Sequence, residues 1–267
     1  MRSAAKIHDP MNIVPLEAMR MALGGQLTAQ QVSSYREHGY LVLGPLFSQT
    51  EIEVLRARIA QRYAHKDFSS FKSGHDDNPH LEDPSYFKFL TDPRALSIAR
   101  SVLGPDVALL SSHIMSKTLR VEGEPWHFDS RRMEAYLAPV EVMGLLVALE
   151  PFSARFGGLC VVPGSHEETV HLQQVGDEVP HDIPPERIDP RRVVPLELDV
   201  GHAVLLNPWV MHGSKHRDEA FIMRFMPTTV RCRGTWPEGM SPYLVSGVDR
   251  SGGHNVYAPL PIGEGTV

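Results

Sequence analysis

Three residues carry the chemistry this sequence can do. His127 and Asp129 are separated by one residue in Trp126-His127-Phe128-Asp129, and His212 lies far downstream. In an extended strand, residues two apart project to the same face. A strand across 127–129 therefore offers one imidazole and one carboxylate to a single point. A second imidazole from a distant strand completes three ligands on one side of a cation. Two His and one carboxylate leave coordination positions open, which is the arrangement of non-haem Fe(II) sites.

Spacing alone does not select this pair. Among 14 histidines, His-x-Asp/Glu also occurs at His75-Asp76-Asp77, His166-Glu167-Glu168 and His216-Arg217-Asp218. His75 sits in Lys72-Ser73-Gly74-His75-Asp76-Asp77-Asn78-Pro79, which has turn residues and no strand pattern. His166 follows Pro163-Gly164-Ser165, a turn leaving a strand, and His216 lies in a charged run expected to be a solvated loop. Only His127 has apolar and aromatic neighbours, with extended apolar segments before and after.

Composition sets the frame for that site. The 267 residues are 42% hydrophobic and 22% charged, ordinary for a globular protein. Net charge is -6 with no long basic run, so nucleic acid is not an expected partner. No run approaches 18 apolar residues, so no membrane span is expected. Met1 to Asn12 has mixed charge and lacks the apolar core of a signal peptide. Cys160 and Cys232 make no disulfide framework, and Cys160 reads as a buried thiol. A reducing cytoplasm is the expected compartment, and it suits Fe(II). Oligomeric state is not legible.

The elements that must hold the ligands follow from punctuation and period. Residues 1–27 read as a tail or lid, and 28–267 as one domain. Thr28-x-x-Gln31 fits a capping box whose helix ends at Gly39, and Tyr40–Leu43 is a short strand. Ser48-x-x-Glu51 caps a helix carrying Ile52, Leu55, Ile59 and Tyr63. Asp92-Pro93 opens a third helix that Gly104-Pro105 closes. Strands are then expected at Val107–Leu110, Ile114–Leu119, Val142–Leu149, Leu159–Val162, Val193–Leu198, Ala203–Leu206 and Phe221–Met226. Many short strands after a helical lead-in predict a mainly β fold with flanking helices, a jelly-roll (double-stranded β-helix, cupin-like) core from about 107 to 232. The polar, Gly/Pro-bearing segments 65–80 and 171–192 are expected to lie as lids over the open end of the barrel.

An ordered series of motifs resembles one family. Trp126-His127-Phe128-Asp129 is similar to the Trp-His-x-Asp of the phytanoyl-CoA dioxygenase family of Fe(II)/2-oxoglutarate oxygenases. The run Gly157 to His166 resembles its Gly-Gly-Leu-x-Val-x-Pro-Gly-Ser-His stretch, and His212-Gly213-Ser214 followed by Arg224 resembles its distal His-x-Ser and downstream Arg. Tyr35 to Leu43 resembles the family's first helix and strand. The resemblance implies Fe(II) on His127, Asp129 and His212. It implies 2-oxoglutarate held by Arg224 with help from Ser214, and a Lys in the region of Lys117. Independently, a guanidinium suits bidentate carboxylate recognition better than an ammonium, and Arg224 sits in the apolar run Phe221 to Met226, where a charge needs a partner. Arg131 and Arg132, directly after the motif, are candidates for an anionic group of the substrate. Arg231 and Arg233 are weaker candidates.

Three positions depart from the family pattern: Phe128 where Gln is frequent, Leu146 where Trp is frequent, and His202 where Asp is frequent. None removes an implied ligand. The implied reaction is hydroxylation of an unactivated C–H with O2 and decarboxylation of 2-oxoglutarate to succinate. The expected substrate is a small molecule, a free amino acid or a secondary metabolite. Desaturation, cyclisation and halogenation occur on the same scaffold, but halogenases replace the carboxylate ligand with a small residue and this chain has Asp129. The remaining alternative is a non-catalytic small-molecule-binding jelly roll.

Overall fold

A computed structural model describes residues 26–65, 75–119, 122–168, 182–233 and 241–261. Residues 1–25 of the expected tail, and 66–74 and 171–181 of the two expected lids, lie outside the described residues. The helices begin where their caps predict. Thr28 Oγ1 accepts the Gln31 N–H, and Gln31 Oε1 accepts the Thr28 N–H, starting α1 (Ala29–His38); Gly39 ends it at φ 79°. After β1 (Tyr40–Pro45), Ser48 and Glu51 exchange hydrogen bonds at the start of α2 (Gln49–His65). There follow β2 (His75–Asp77), α3 (Phe87–Leu90) and α4 (Pro93–Leu103), with Asp92 capping α4.

The β region comprises β3 (Val107–Met115), α5 (Ser130–Met133), β4 (Leu137–Ala138), β5 (Met143–Ala148), β6 (Cys160–Val162), β7 (Val194–Pro195), β8 (His202–Leu206), β9 (Met211–Gly213), β10 (Ala220–Pro227), β11 (Arg231–Cys232) and β12 (Tyr243–Ser246). Seven strands form one antiparallel sheet in the order β1-β8-β5-β10-β3-β12, with β2 also on β3. A smaller sheet, β7-β6-β9, faces it, and β4 pairs with β11. This is the jelly-roll architecture with flanking helices. The large sheet extends past the expected 107–232 core on both sides, because β1 and β12 supply two of its strands.

Strand register decides which side chains enter the barrel. Leu41, Leu205, Leu145 and Met223 lie in one cross-strand row and pack with Ile52 and Leu55 of α2 and Ile98 of α4. One residue along, Val42, Val204, Leu146 and Ile222 form the opposite row, and all four pack toward Val161 of the small sheet. Two residues further, the inward row holds Tyr40, Leu206, Gly144 and Arg224. Both faces of the sheet are thus buried, and Arg224 is the charged member of the inward face. Among the described residues, no helix is long and apolar enough to cross a membrane.

Three expectations need correction. The strand expected at Ile114–Leu119 ends at Met115, and Lys117–Leu119 is a turn. The strand expected at Val193–Leu198 is regular only at Val194–Pro195, since Pro195 has no N–H to extend a ladder; Leu198 makes a single bridge to Phe152. His75-Asp76-Asp77, expected as a turn, is the strand β2, buried through Asp76, whose carboxylate pairs with Arg62.

Candidate metal centre

His127 and His212 are brought together by backbone. Each accepts the other's N–H, at 2.9 and 3.2 Å, in one antiparallel bridge. Their rings lie on the same side with centroids 4.3 Å apart. Residues 127–129 do not form a regular strand, contrary to the sequence reading. Asp129 is in the α region (φ −59°, ψ −35°) as the N-cap residue of α5, and the Ser130 N–H donates to the Pro208 carbonyl. This turn folds the carboxylate back toward the imidazoles. Ligand atoms of His127, Asp129 and His212 all lie within 4.8 Å of one another.

The ring nitrogens are assigned by their partners. His127 Nδ1 lies 2.7 Å from the Pro125 carbonyl oxygen and His212 Nδ1 3.0 Å from that of Val210. A carbonyl only accepts, so each Nδ1 carries the proton and each Nε2 presents its lone pair. Metal-binding histidines commonly fix their tautomer this way. His127 Nε2 is 3.7 Å from Asp129 Oδ1. Burial opposes the charge on Asp129, but Arg224 and then the two imidazoles outweigh it, holding the carboxyl well below the usual carboxylate range. Burial, reinforced by His127, pushes His212 down to about 4, so it is neutral at pH 7. Burial also disfavours a charged His127, yet Asp129 more than compensates and raises it above the ordinary histidine value. The ionised carboxylate and the neutral His212 are in the states a metal requires, and a cation bound there would displace the proton that Asp129 favours on His127.

Arg224 adjoins the three. Its Nη2 donates to Asp129 Oδ2 at 2.9 Å, its Nη1 donates to His113 Nε2, and its buried Nε has no hydrogen-bond partner among the described residues. His113 and Ser111, inward-facing on β3, were missed from sequence. The polar run Ser111-Ser112-His113 looks like a break between two strands, yet it is the middle of β3, and its polar side chains serve the site. Asp77 was missed as well; its carboxylate accepts from His113 Nδ1 at 2.5 Å.

A family model described as phytanoyl-CoA dioxygenase (PhyH) matches residues 35–220. The chain belongs to that family. Phytanoyl-CoA dioxygenase 1 of Oryza sativa subsp. japonica is 26% identical over 242 residues, covering 73% of this chain and 85% of the relative. Ectoine dioxygenase of Bordetella parapertussis is 27% identical over 157 residues, 54% of this chain and only 51% of that relative's length. Among solved structures, the non-haem monooxygenase ThoJ (apo) superposes with a TM-score of 0.68 at 18% identity, over 87% of this chain and 88% of that one. The epimerase SnoN, in complex with Fe3+, alpha ketoglutarate and nogalamycin RO, gives 0.62 at 17% identity, over 77% and 85%. Both share the fold.

Within this PhyH-family chain, the Pro-Gly-Ser-His run is a clamp. Ser165 Oγ accepts the Met211 N–H beside His212, and Gly164 N–H and His166 Nε2 both donate to carbonyls at the end of α1. Gly39 is required opposite it, because a Cβ there would sit 2.5 Å from His166 Nδ1. Ser214 is a clip: its Oγ accepts the Glu124 N–H at 3.0 Å. Lys117, outside any strand, is half-exposed and paired with Glu150, at a surface cavity of about 590 Å³ whose lining includes none of the three converged residues. The expectation that Lys117 reaches the site from a strand is therefore corrected. Arg131 pairs with Glu134 on α5, and Arg132 is exposed one turn after Asp129. Arg231 and Arg233 are exposed, and His202 lies 3.9 Å from Asp199 at the mouth of β8. Phe128 is buried with Ile183, whose N–H donates to the Trp126 carbonyl, so the end of the expected 171–192 lid lies against the metal motif.

Proposed function

We propose that this chain is an Fe(II)/2-oxoglutarate-dependent dioxygenase. It hydroxylates an unactivated C–H of a small molecule, a free amino acid or a secondary metabolite. 2-Oxoglutarate, O2 and R–H become succinate, CO2 and R–OH. The observation that carries this reading is the convergence of His127, Asp129 and His212, with Arg224 beside them on the inward face of the barrel. The donor set fits the metal: two imidazoles with Nε2 presented and one ionised carboxylate suit Fe(II) and leave positions open. The unpartnered Nε of Arg224 fits the distal carboxylate of the cosubstrate. When bound, iron and 2-oxoglutarate supply the activation of O2.

The chain's own residues do the rest. His127, Asp129 and His212 hold the cation, with both histidine tautomers fixed by backbone carbonyls. Arg224 orients the cosubstrate. Phe128 and Ile183 close one side of the centre to water, which protects a reactive site from side reactions. Arg132 is the candidate for an anionic group of the substrate. It is exposed on the first turn after Asp129, which supports a role at the rim of the same site. The ectoine dioxygenase relatives support a small polar metabolite as substrate. The proposed setting is the cytoplasm, where the free thiols Cys160 and Cys232 stay reduced.

The test is incubation of purified protein with Fe(II), ascorbate, 2-oxoglutarate and a metabolite library, reading succinate and a mass gain of one oxygen. Folded His127→Ala is the control. Succinate release equal to wild type from that variant would remove the triad assignment, and metal binding without any succinate would favour a binding protein.

A further inference from the structure

Arg224 is held on two sides, and only one of them is a metal-ligand residue. On the other side stands His113 of β3, which the metal site does not otherwise explain. A guanidinium has donors only, so His113 Nε2 accepts from Arg224 Nη1. The ring proton must then be on Nδ1, and Nδ1 donates to Asp77 Oδ1 at 2.5 Å. Ser111 Oγ lies 3.0 Å from the same Nε2. Asp77 is the register partner of His113 in the β2–β3 pair, and His75, two residues earlier, reaches Glu124 Oε1 at 2.9 Å, close before His127.

We infer that His113, oriented by Asp77, is a positioning residue that aims the Arg224 guanidinium at the carboxylate of the cosubstrate. This rests on the Fe(II)/2-oxoglutarate reading above. A planar fork gives bidentate recognition only when its rotation is fixed. Asp129 alone fixes one nitrogen and draws the guanidinium toward the metal ligands. The second anchor at Nη1 sets the plane and leaves the buried Nε without a partner among the described residues. Asp77 makes this anchor one-sided: it holds the proton on Nδ1, so Nε2 remains an acceptor. Burial, followed by the Arg224 charge, presses His113 down to about 4, which keeps it neutral. The carboxylate–imidazole–guanidinium line therefore runs from β2 through β3 to β10 and into the site.

The experiment is calorimetric titration of 2-oxoglutarate into Mn(II)-loaded protein, with Mn(II) affinity and melting temperature measured alongside, so that turnover is not needed. In His113→Phe the ring volume stays and the acceptor is lost; 2-oxoglutarate affinity should fall by about 10–100-fold, with Mn(II) affinity and melting temperature near wild type. His113→Gln, whose Oε1 can accept from Arg224, should restore most of the loss. Wild-type 2-oxoglutarate affinity in folded His113→Phe overturns the assignment. So does a joint loss of cosubstrate affinity, Mn(II) affinity and melting temperature that Gln does not rescue, since that marks a merely structural role. Arg224→Ala separates the two levels: if it binds 2-oxoglutarate normally, the cosubstrate site itself is elsewhere. If Arg224→Ala fails to bind and His113→Phe binds normally, only the positioning role falls.

Discussion

Replacing Arg224 by Ala removes the charge that pairs with Asp129 and that is proposed to hold the carboxylate of the cosubstrate. The Arg224 and Asp129 side chains are only 14% and 19% exposed, so their 2.9 Å contact is shielded from water. Breaking a buried pair from one side costs roughly 3–5 kcal/mol. Asp129 keeps His127 at 3.7 Å, which places the expected loss of stability at the lower end, about 3 kcal/mol. Cosubstrate binding suffers separately. Two hydrogen bonds to a charged group contribute about 1.5–3 kcal/mol each. Losing at least 3 kcal/mol corresponds to a dissociation constant about 100-fold higher or more. Iron content should remain near one per chain, because His127, Asp129 and His212 are untouched. Arg224→Lys should fall between, since an ammonium restores the charge but not the planar fork. Calorimetry with 2-oxoglutarate measures the first effect and urea unfolding the second. A folded Arg224→Ala protein with wild-type 2-oxoglutarate affinity would refute the argument, whatever its stability.

His212→Ala should abolish succinate formation and metal retention while the barrel persists, because β9 is held by its backbone pairing with β6; metal analysis after gel filtration checks this. Asp218 is buried, and burial first, then Glu150 and Glu197 against the Leu159 N–H, pushes its carboxyl up from 3.8 to about 6. Such an acid costs nothing while protonated below pH 4 and destabilises the fold as pH rises through 6, so Asp218→Asn should stabilise by up to about 3 kcal/mol at pH 8 and by little at pH 4. Equal gains at both pH values in urea unfolding would contradict the burial argument. Ile183→Ala should cost about 2–4 kcal/mol of stability and lower the ratio of hydroxylated product to succinate, since Ile183 covers Phe128; an unchanged ratio in the folded variant would leave the 182–192 stretch no part in shielding the site.

The parts legible in sequence were those with local causes. Thr28, Ser48 and Asp92 start their helices through short-range hydrogen bonds, and Gly39 stops one through its backbone, so pattern and structure coincide there. Central strands such as β5, β8 and β10 are continuous apolar runs and were legible within a residue or two. The failures share a different cause. Ser111, Ser112 and His113 look like a gap in a strand when judged by polarity, because the partners that satisfy them are far away in sequence: Arg224, Asn78 and Asp77. His75-Asp76-Asp77 looks like a solvated turn for the same reason. Lys117 was placed on a strand because the apolar positions around it continue, whereas the turn at 117–119 depends on Ser116 Oγ accepting the Thr118 N–H.

The His-x-Asp motif itself shows how a correct pairing can follow from an incomplete geometric reason. In a regular strand, residues two apart are separated by about 6.6 Å along the chain, and their side chains run parallel rather than converging. Ligand atoms within 4.8 Å need a shorter path. The chain finds it by leaving extended geometry at Asp129, where α5 begins. Ser130 and the following turn then anchor to Pro208 and Asp129 through backbone hydrogen bonds. Asp129 makes no side-chain cap to α5; its backbone carbonyl accepts the Arg132 N–H and makes the turn, while its carboxylate stays turned to Arg224 and the imidazoles. The metal motif is therefore better read as a bridge followed by a helix start than as a strand. That reading carries its own requirement: the segment after Asp129 must be able to turn. Ser130 has a buried side chain at the first position of α5, and a large residue there would displace Asp129 from His127 and His212 without touching a ligand.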